Sequence, residues 1–209
     1  MLNKEHTVSY VLTLSGSPAP RSRSTHLLCL AESALRAQGA AVRRIDAREL
    51  PAAALMHASF DDLAVRQAVE LVAHAQAVII ATPLYKASYS GLLKSFLDLL
   101  PQRALAHKPV LAFATGGSLA HLLALDYALK PVLASLGARH LLDNVFATER
   151  DMLLVDGTYA VTDAIKHRLA DAIESLVHAL DDAAALRSLR DGRRMSNERP
   201  AQEADLFVR

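Results

Sequence analysis

Short unbroken apolar runs alternate along this chain with longer stretches whose apolar positions recur every three or four residues. The runs predict strands at residues 8–14 (VSYVLTL), 41–45, 77–81 (AVIIA), 109–114 and 140–147. A strand buried on both faces of a parallel sheet reads as a continuous apolar run, because neither face meets water. The periodic stretches predict helices at residues 24–38, 61–75, from Ser90 or Gly91 to about Leu100, 118–136 and 162–180. In the first of these, Leu27, Leu28, Leu30, Ala31, Ala34 and Leu35 make the apolar face, and Gly39 stands where a helix would stop. Asp61 and Asp62 open the second, at the positive end of its dipole, and Pro101 closes the third.

Such alternation implies an α/β fold: a doubly wound, five-stranded parallel sheet with right-handed crossovers and helices on both faces. The domain is expected to span residues 1–182. Residues 183–209 are rich in Arg, Asp, Glu and Gln with little apolar periodicity. They read as a polar C-terminal tail, either solvated or reaching a neighbouring subunit.

Composition narrows the function. A chain of 209 residues, 52% apolar and 22% charged, suits one domain with a well-buried core. A formal net charge of +1 gives no long-range attraction to nucleic acid. The single cysteine, Cys29, precludes an internal disulfide and suits a reducing cytosol. It reads as a small apolar filler on a helix rather than a reactive thiol. The nine histidines show no metal-ligand spacing, so no metal site is expected. No apolar run approaches the roughly 20 residues that span a bilayer. Residues 8–14, interrupted by Ser9 and Thr13, make a poor signal peptide, so the expected location is cytoplasmic, with no membrane contact.

Ligands of open α/β sheets sit beyond the carboxyl ends of the strands, and three expected strand exits here carry unusual residues. The first runs from Ser15-Gly16-Ser17-Pro18 through Arg21, Arg23, Ser24 and Thr25 into a helix. Hydroxyls, backbone N–H groups and a helix dipole there suit a phosphate, and Arg21 or Arg23 adds a charged contact. The loop has neither P-loop nor GxGxxG spacing, and an ordinary capped turn is the alternative. The second exit is Thr82-Pro83-Leu84-Tyr85-Lys86-Ala87-Ser88-Tyr89, whose Pro and aromatic residues can lie along a flat ring. Its alternative is that Tyr85 and Tyr89 are surface packing residues. The third is Thr115-Gly116-Gly117-Ser118, where paired glycines allow close backbone approach to a ligand or simply make a strand-to-helix turn.

Together these segments resemble the NADPH-dependent FMN reductases of the flavodoxin-like superfamily. The resemblance covers roughly residues 8–180 and is closest to the FMN reductases of alkanesulfonate monooxygenase systems. It is carried by GSP with a downstream SRS, by TPLYKASYSGLLKSFLDLLPQRAL (residues 82–105) and by ATGGSLAHLLALDYALKPVL (residues 114–133). It implies that Ser17, Arg23, Ser24 and Thr25 hold the FMN phosphate, that Pro83, Leu84 and Tyr85 contact the isoalloxazine, and that Thr115, Gly116 and Gly117 form its opposite flank. Tyr127 matches the added aromatic residue that makes a π-type bulge near a tetramer interface in this subgroup; a merely packed helix residue is the alternative. One departure is Ala19, where many relatives place Arg; Arg21 or Arg23 then supplies the phosphate charge.

The implied reaction is hydride transfer from NADPH to FMN, carried by the flavin itself, so no catalytic side chain is assigned. The implied partner is a flavin-dependent monooxygenase that takes the reduced flavin, and the implied assembly is a homotetramer. The rivals are an FMN-bound quinone or azo-compound reductase and a flavodoxin-type electron carrier. The near-neutral charge counts against the carrier. His121, near the expected flavin edge, reads as a surface or packing residue.

Overall fold

The computed structural model describes residues 9–197. Its first strand, β1 (Val11–Ser15), is buried along its whole length; Val8, the expected start, lies outside the described residues. β1 pairs in parallel with β2 (Val42–Asp46) on one side and β3 (Ala77–Tyr85) on the other. β4 (Ser88–Tyr89) folds back antiparallel on the end of β3, and β5 (Pro109–Gly116) lies parallel beyond it. The fifth parallel position is shared by β6 (His140–Leu141) and β7 (Val145–Thr148), both paired with β5. The order is therefore β2-β1-β3-β5-β6/β7, and it reverses between β1 and β3. This is the doubly wound, flavodoxin-like α/β arrangement expected from the alternation of patterns.

Helices α1 (Arg23–Ala37) and α6 (Asp163–Asn197) cover one face, where Leu27, Leu28, Ile173 and Leu176 pack on Ile79 and Phe113. Helices α2 (Ala52–Met56), α3 (Leu63–His74), α4 (Gly91–Leu97) and α5 (Lys130–Ser135) cover the other, with Leu93, Phe96 and Leu129 against Ile80 and Ala112. Asp62 caps α3 by accepting from the Ala64 and Val65 amides, one residue inside the acidic start read from the sequence.

The departures have local causes. β3 runs four residues past its expected end at Ala81, because the residue before Pro83 is driven to extended backbone. The helix expected at 118–136 opens with a separate 3₁₀ turn (Leu119–His121), then carries a π-helix (Leu125–Leu129) centred on Tyr127, the bulge that the resemblance implied, before α5. Pro131 lies in the first turn of α5, where its missing N–H is tolerated, and the helix runs on through it; the break falls earlier, at the turn of residues 122–123. The fifth strand is interrupted by Asp143 and Asn144, which favour turns over ladder pairing.

Two elements were not anticipated: α2, and a hairpin of β8 (Met152–Val155) and β9 (Thr158–Val161). The hairpin turns at Asp156 and Gly157, with φ of 47° and 80°. Helix α6 continues past the expected end at Leu180 to Asn197, because Ala, Leu and Arg sustain helix after the apolar stripe lapses. Residues 198–209 of the expected tail lie outside the described residues. Cys29 is not a buried filler: it is exposed on α1, and the Arg44 Nη1 donates to its sulfur at 3.2 Å.

Candidate functional site

Gly16 follows β1, and its N–H donates to the Ala81 carbonyl of β3 at 2.7 Å. Its own carbonyl accepts a hydrogen bond from the Ser90 hydroxyl. Ser90 also caps α4, accepting from the Leu93 N–H at 3.1 Å, and donates its backbone N–H to Thr82 Oγ1 at 3.1 Å. One buried serine thus ties the exits of β1 and β3 to the start of α4. The chain approaches closely enough that a Cβ on Gly16 would stand 2.7 Å from Leu93 Cβ.

Beyond Gly16 the loop rests on inward-facing hydroxyls. Ser17 is buried and accepts from the Ala19 N–H at 3.3 Å. The Ser24 and Ser22 hydroxyls lie 2.9 Å apart, as do those of Thr25 and Ser15. Ser17, Ser24 and Thr25 therefore support the loop from beneath and are not walls of the open cleft above it. Arg21, Ser22 and Arg23 do reach that cleft.

The cleft holds about 180 Å³ at the carboxyl edge of the sheet, where strand order reverses. It brings Arg23 together with Pro83, Leu84 and Tyr85 on one wall and Thr115, Gly116 and Gly117 on another. Tyr85 stands at the rim, half exposed, at the base of the β3–β4 turn. Lys86 and Ala87 make that turn with φ of 50° and 61°, a conformation that favours glycine. A Cβ on Gly116 would press to 3.1 Å from the Phe146 ring, whereas one on Gly117 would meet nothing within 4 Å. His121 lies against Gly116, and its Nδ1 is buried without a hydrogen-bond partner.

Tyr127 stands apart from this cleft. It is 79% exposed at the middle of the π-helix, beside exposed Leu119, Leu122 and Leu123. The π-helix packs against β4, so it borders the segment that carries Tyr85.

Sequence reasoning missed two residues of the cleft, Glu149 and Tyr159. Glu149 follows β7, a strand exit like the others, and Tyr159 sits on the hairpin that follows. Arg23 donates from Nη1 to Glu149 at 3.2 Å and from Nε to the Met152 carbonyl at 3.1 Å. Its guanidinium also lies 5.6 Å from the Tyr159 ring centre. His26 also meets Tyr159 edge-on. Burial lowers the His26 pKa from its ordinary value, against a backbone hydrogen bond at Tyr159 that raises it.

A larger cavity, about 1030 Å³, lies at the opposite edge beside Pro109 and His140, where β5 and β6 begin. It contains none of the strand-exit loops. Position relative to the strand ends, not volume, marks the ligand site of such sheets. Among the described residues, no cluster of His, Cys, Asp and Glu could hold a metal ion, and no helix is long and apolar enough to cross a membrane.

The residues present fit a phosphorylated flat heterocycle such as FMN. Arg21, Ser22 and Arg23 gather at one end, Pro83–Tyr85 form a wall, and Thr115–Gly117, with unfilled space at Gly117, form the other flank.

The profile of the NADPH-dependent FMN reductase family matches residues 9–152. The chain is 47% identical over 172 residues to an FMN reductase (NADPH) of Pseudomonas putida, covering 81% of this chain and 87% of that one. It is 44% identical over 170 residues to an FMN reductase (NADPH) of Escherichia coli, covering 81% and 89%. Among solved structures, the apo form of the NADH:FMN oxidoreductase EMOB superposes with a TM-score of 0.74 at 40% identity, over 80% of this chain and 88% of that chain.

Proposed function

This chain belongs to the NADPH-dependent FMN reductase family, and we propose that it reduces FMN with a nicotinamide and hands the reduced flavin to a flavin-dependent monooxygenase in sulfonate sulfur acquisition. The observation that carries the reading is the meeting of the Arg23 loop, Pro83–Tyr85 and Thr115–Gly117 in one cleft at the switch in strand order. The relatives' names support FMN and NADPH as the redox pair. The sulfonate link rests on the motifs of residues 82–105 and 114–133.

FMN, when bound, would supply two-electron redox chemistry toward a nicotinamide. The chain's own residues bind and orient. Arg23, with Ser17, Ser24 and Thr25 in the loop beneath it, takes the phosphate; Pro83, Leu84 and Tyr85 lie along one side of the ring. Thr115, Gly116 and Gly117 form the other flank, where the absence of side chains lets backbone approach the ring edge. The open rim beside Tyr85 leaves room for the nicotinamide.

The exposed apolar patch of Leu119, Leu122, Leu123 and Tyr127 supports a subunit contact, and we assign it to a homotetramer with Tyr127 near the interface. The enzyme works in the cytoplasm, where reduced nicotinamide is made. Purified protein should oxidise NADPH only when free FMN is supplied. Oxidation at the same rate with a quinone or azo dye and no added flavin overturns the flavin-supply reading. Light scattering that gives a monomer with and without FMN overturns the tetramer.

A further inference from the structure

Arg23 is fixed by groups that the hairpin and its approach bring to it. Met152, fully buried at the start of β8, takes the Nε–H through its carbonyl, and Tyr159 of β9 lies against the guanidinium face. These two contacts hold the fork by its Nε edge and its face. Glu149 adds something different. Its carboxylate pairs with Arg23 Nη1 at 3.2 Å and is 61% exposed, so it faces the cleft mouth rather than the core.

Glu149 is also held in place. It opens a 3₁₀ turn, Glu149–Asp151, that is closed by a reciprocal cap. Thr148 donates its backbone N–H and its hydroxyl to Asp151 Oδ2 at 2.8 and 2.7 Å. The cap fixes the backbone from which the Glu149 side chain reaches Arg23. The Arg23–Glu149 pair then presents no net charge to an arriving phosphate, although Arg23 alone would present a full positive one beside the cleft's other cation, Arg21.

We propose that Glu149 is an affinity-setting residue for FMN: its carboxylate offsets Arg23 and repels the flavin phosphate, keeping the flavin exchangeable. The inference rests on the assignment of the phosphate to the Arg23 loop. It follows from that geometry that Glu149 acts on the phosphate and not on the ring. Its effect should therefore appear with FMN, vanish with riboflavin, and shrink with salt.

The test is a fluorescence titration of the full-length protein with FMN and with riboflavin, at about 20 mM and about 500 mM salt. Glu149→Gln keeps the shape and a hydrogen-bond acceptor for Arg23 but removes the charge. It should bind FMN roughly three- to tenfold more tightly at low salt, with the gain largely lost at high salt and riboflavin unchanged. Glu149→Asp, which keeps the charge, should stay near the parent. Arg23→Gln should weaken FMN and leave riboflavin alone. If Arg23→Gln does so but Glu149→Gln leaves FMN unchanged or weaker, Glu149 is only a structural partner and the proposal fails. If Arg23→Gln changes FMN and riboflavin alike, or neither, the phosphate assignment fails instead.

Discussion

Gly16→Ala is the sharpest perturbation of the scaffold beneath the site. The added methyl would stand 2.7 Å from Leu93 Cβ and 3.2 Å from Leu93 Cγ and Cδ2. The nearest of these atoms is bonded to the α4 backbone, so no side-chain rotation relieves the contact. Either α4 or the β1 exit must shift. Overpacking of this kind costs about 1–3 kcal/mol. A shift also stretches the buried bond from Ser90 to the Gly16 carbonyl, adding about 1 kcal/mol. The total, about 2–4 kcal/mol, lowers the Tm by roughly 5–15 °C for a domain of this size. Gly117→Ala is the matched control, since its Cβ meets nothing within 4 Å. It should leave the Tm within about 2 °C of the parent, because only open space is filled. The assay is thermal unfolding by circular dichroism with an FMN titration alongside. The Gly16 variant should lose flavin affinity as well as stability, because the loop carrying Arg23 moves with the β1 exit. A Gly16→Ala protein that melts with the parent refutes the argument from close packing.

Three further outcomes follow from other contacts. Ala87→Gly should raise the Tm, because Ala87 sits at a φ of 61° and relief of a left-handed alanine gives about 1 kcal/mol; an unchanged or lower Tm contradicts this. Glu32 is buried, accepts from Thr13 Oγ1 at 2.7 Å and pairs with Arg36 and Arg44. Glu32→Ala should cost about 2–4 kcal/mol in denaturant unfolding, below the full loss of a buried pair because Arg44 keeps Asp46; a cost near zero contradicts it. His26 has a lowered pKa when folded, so the unfolded chain binds more protons between the folded value and about 6.5. Stability should therefore fall as pH drops through that window, and His26→Gln should flatten the fall in melts taken across it; an equal slope in both proteins refutes the role of His26.

Much of the site was legible because its signals are local. Unbroken apolar runs marked the strands, and the residues just past them, Pro83, Tyr85, Gly116 and Gly117, marked the cleft. What escaped lay in signals overlooked or overruled. Asp156-Gly157 between β-forming residues is a hairpin signature, and reading it would have placed Tyr159 near the α1 loop. The π-helix was legible through the added Tyr127, but the turn at residues 122–123 before it was hidden by the apolar period on either side. The inward turn of Ser24 and Thr25 was not legible, since it depends on their hydroxyls meeting those of Ser22 and of Ser15 on β1. Nor was the Arg23–Glu149 pair, whose partners lie 126 residues apart.

The central claim is that flavin sits at the carboxyl edge of the sheet, and a crystal structure of the protein soaked with FMN tests it most directly. The account predicts the phosphate beside Arg23 and the ring between Pro83–Tyr85 and Gly116–Gly117. Flavin lodged instead in the larger cavity beside Pro109 and His140 would contradict it.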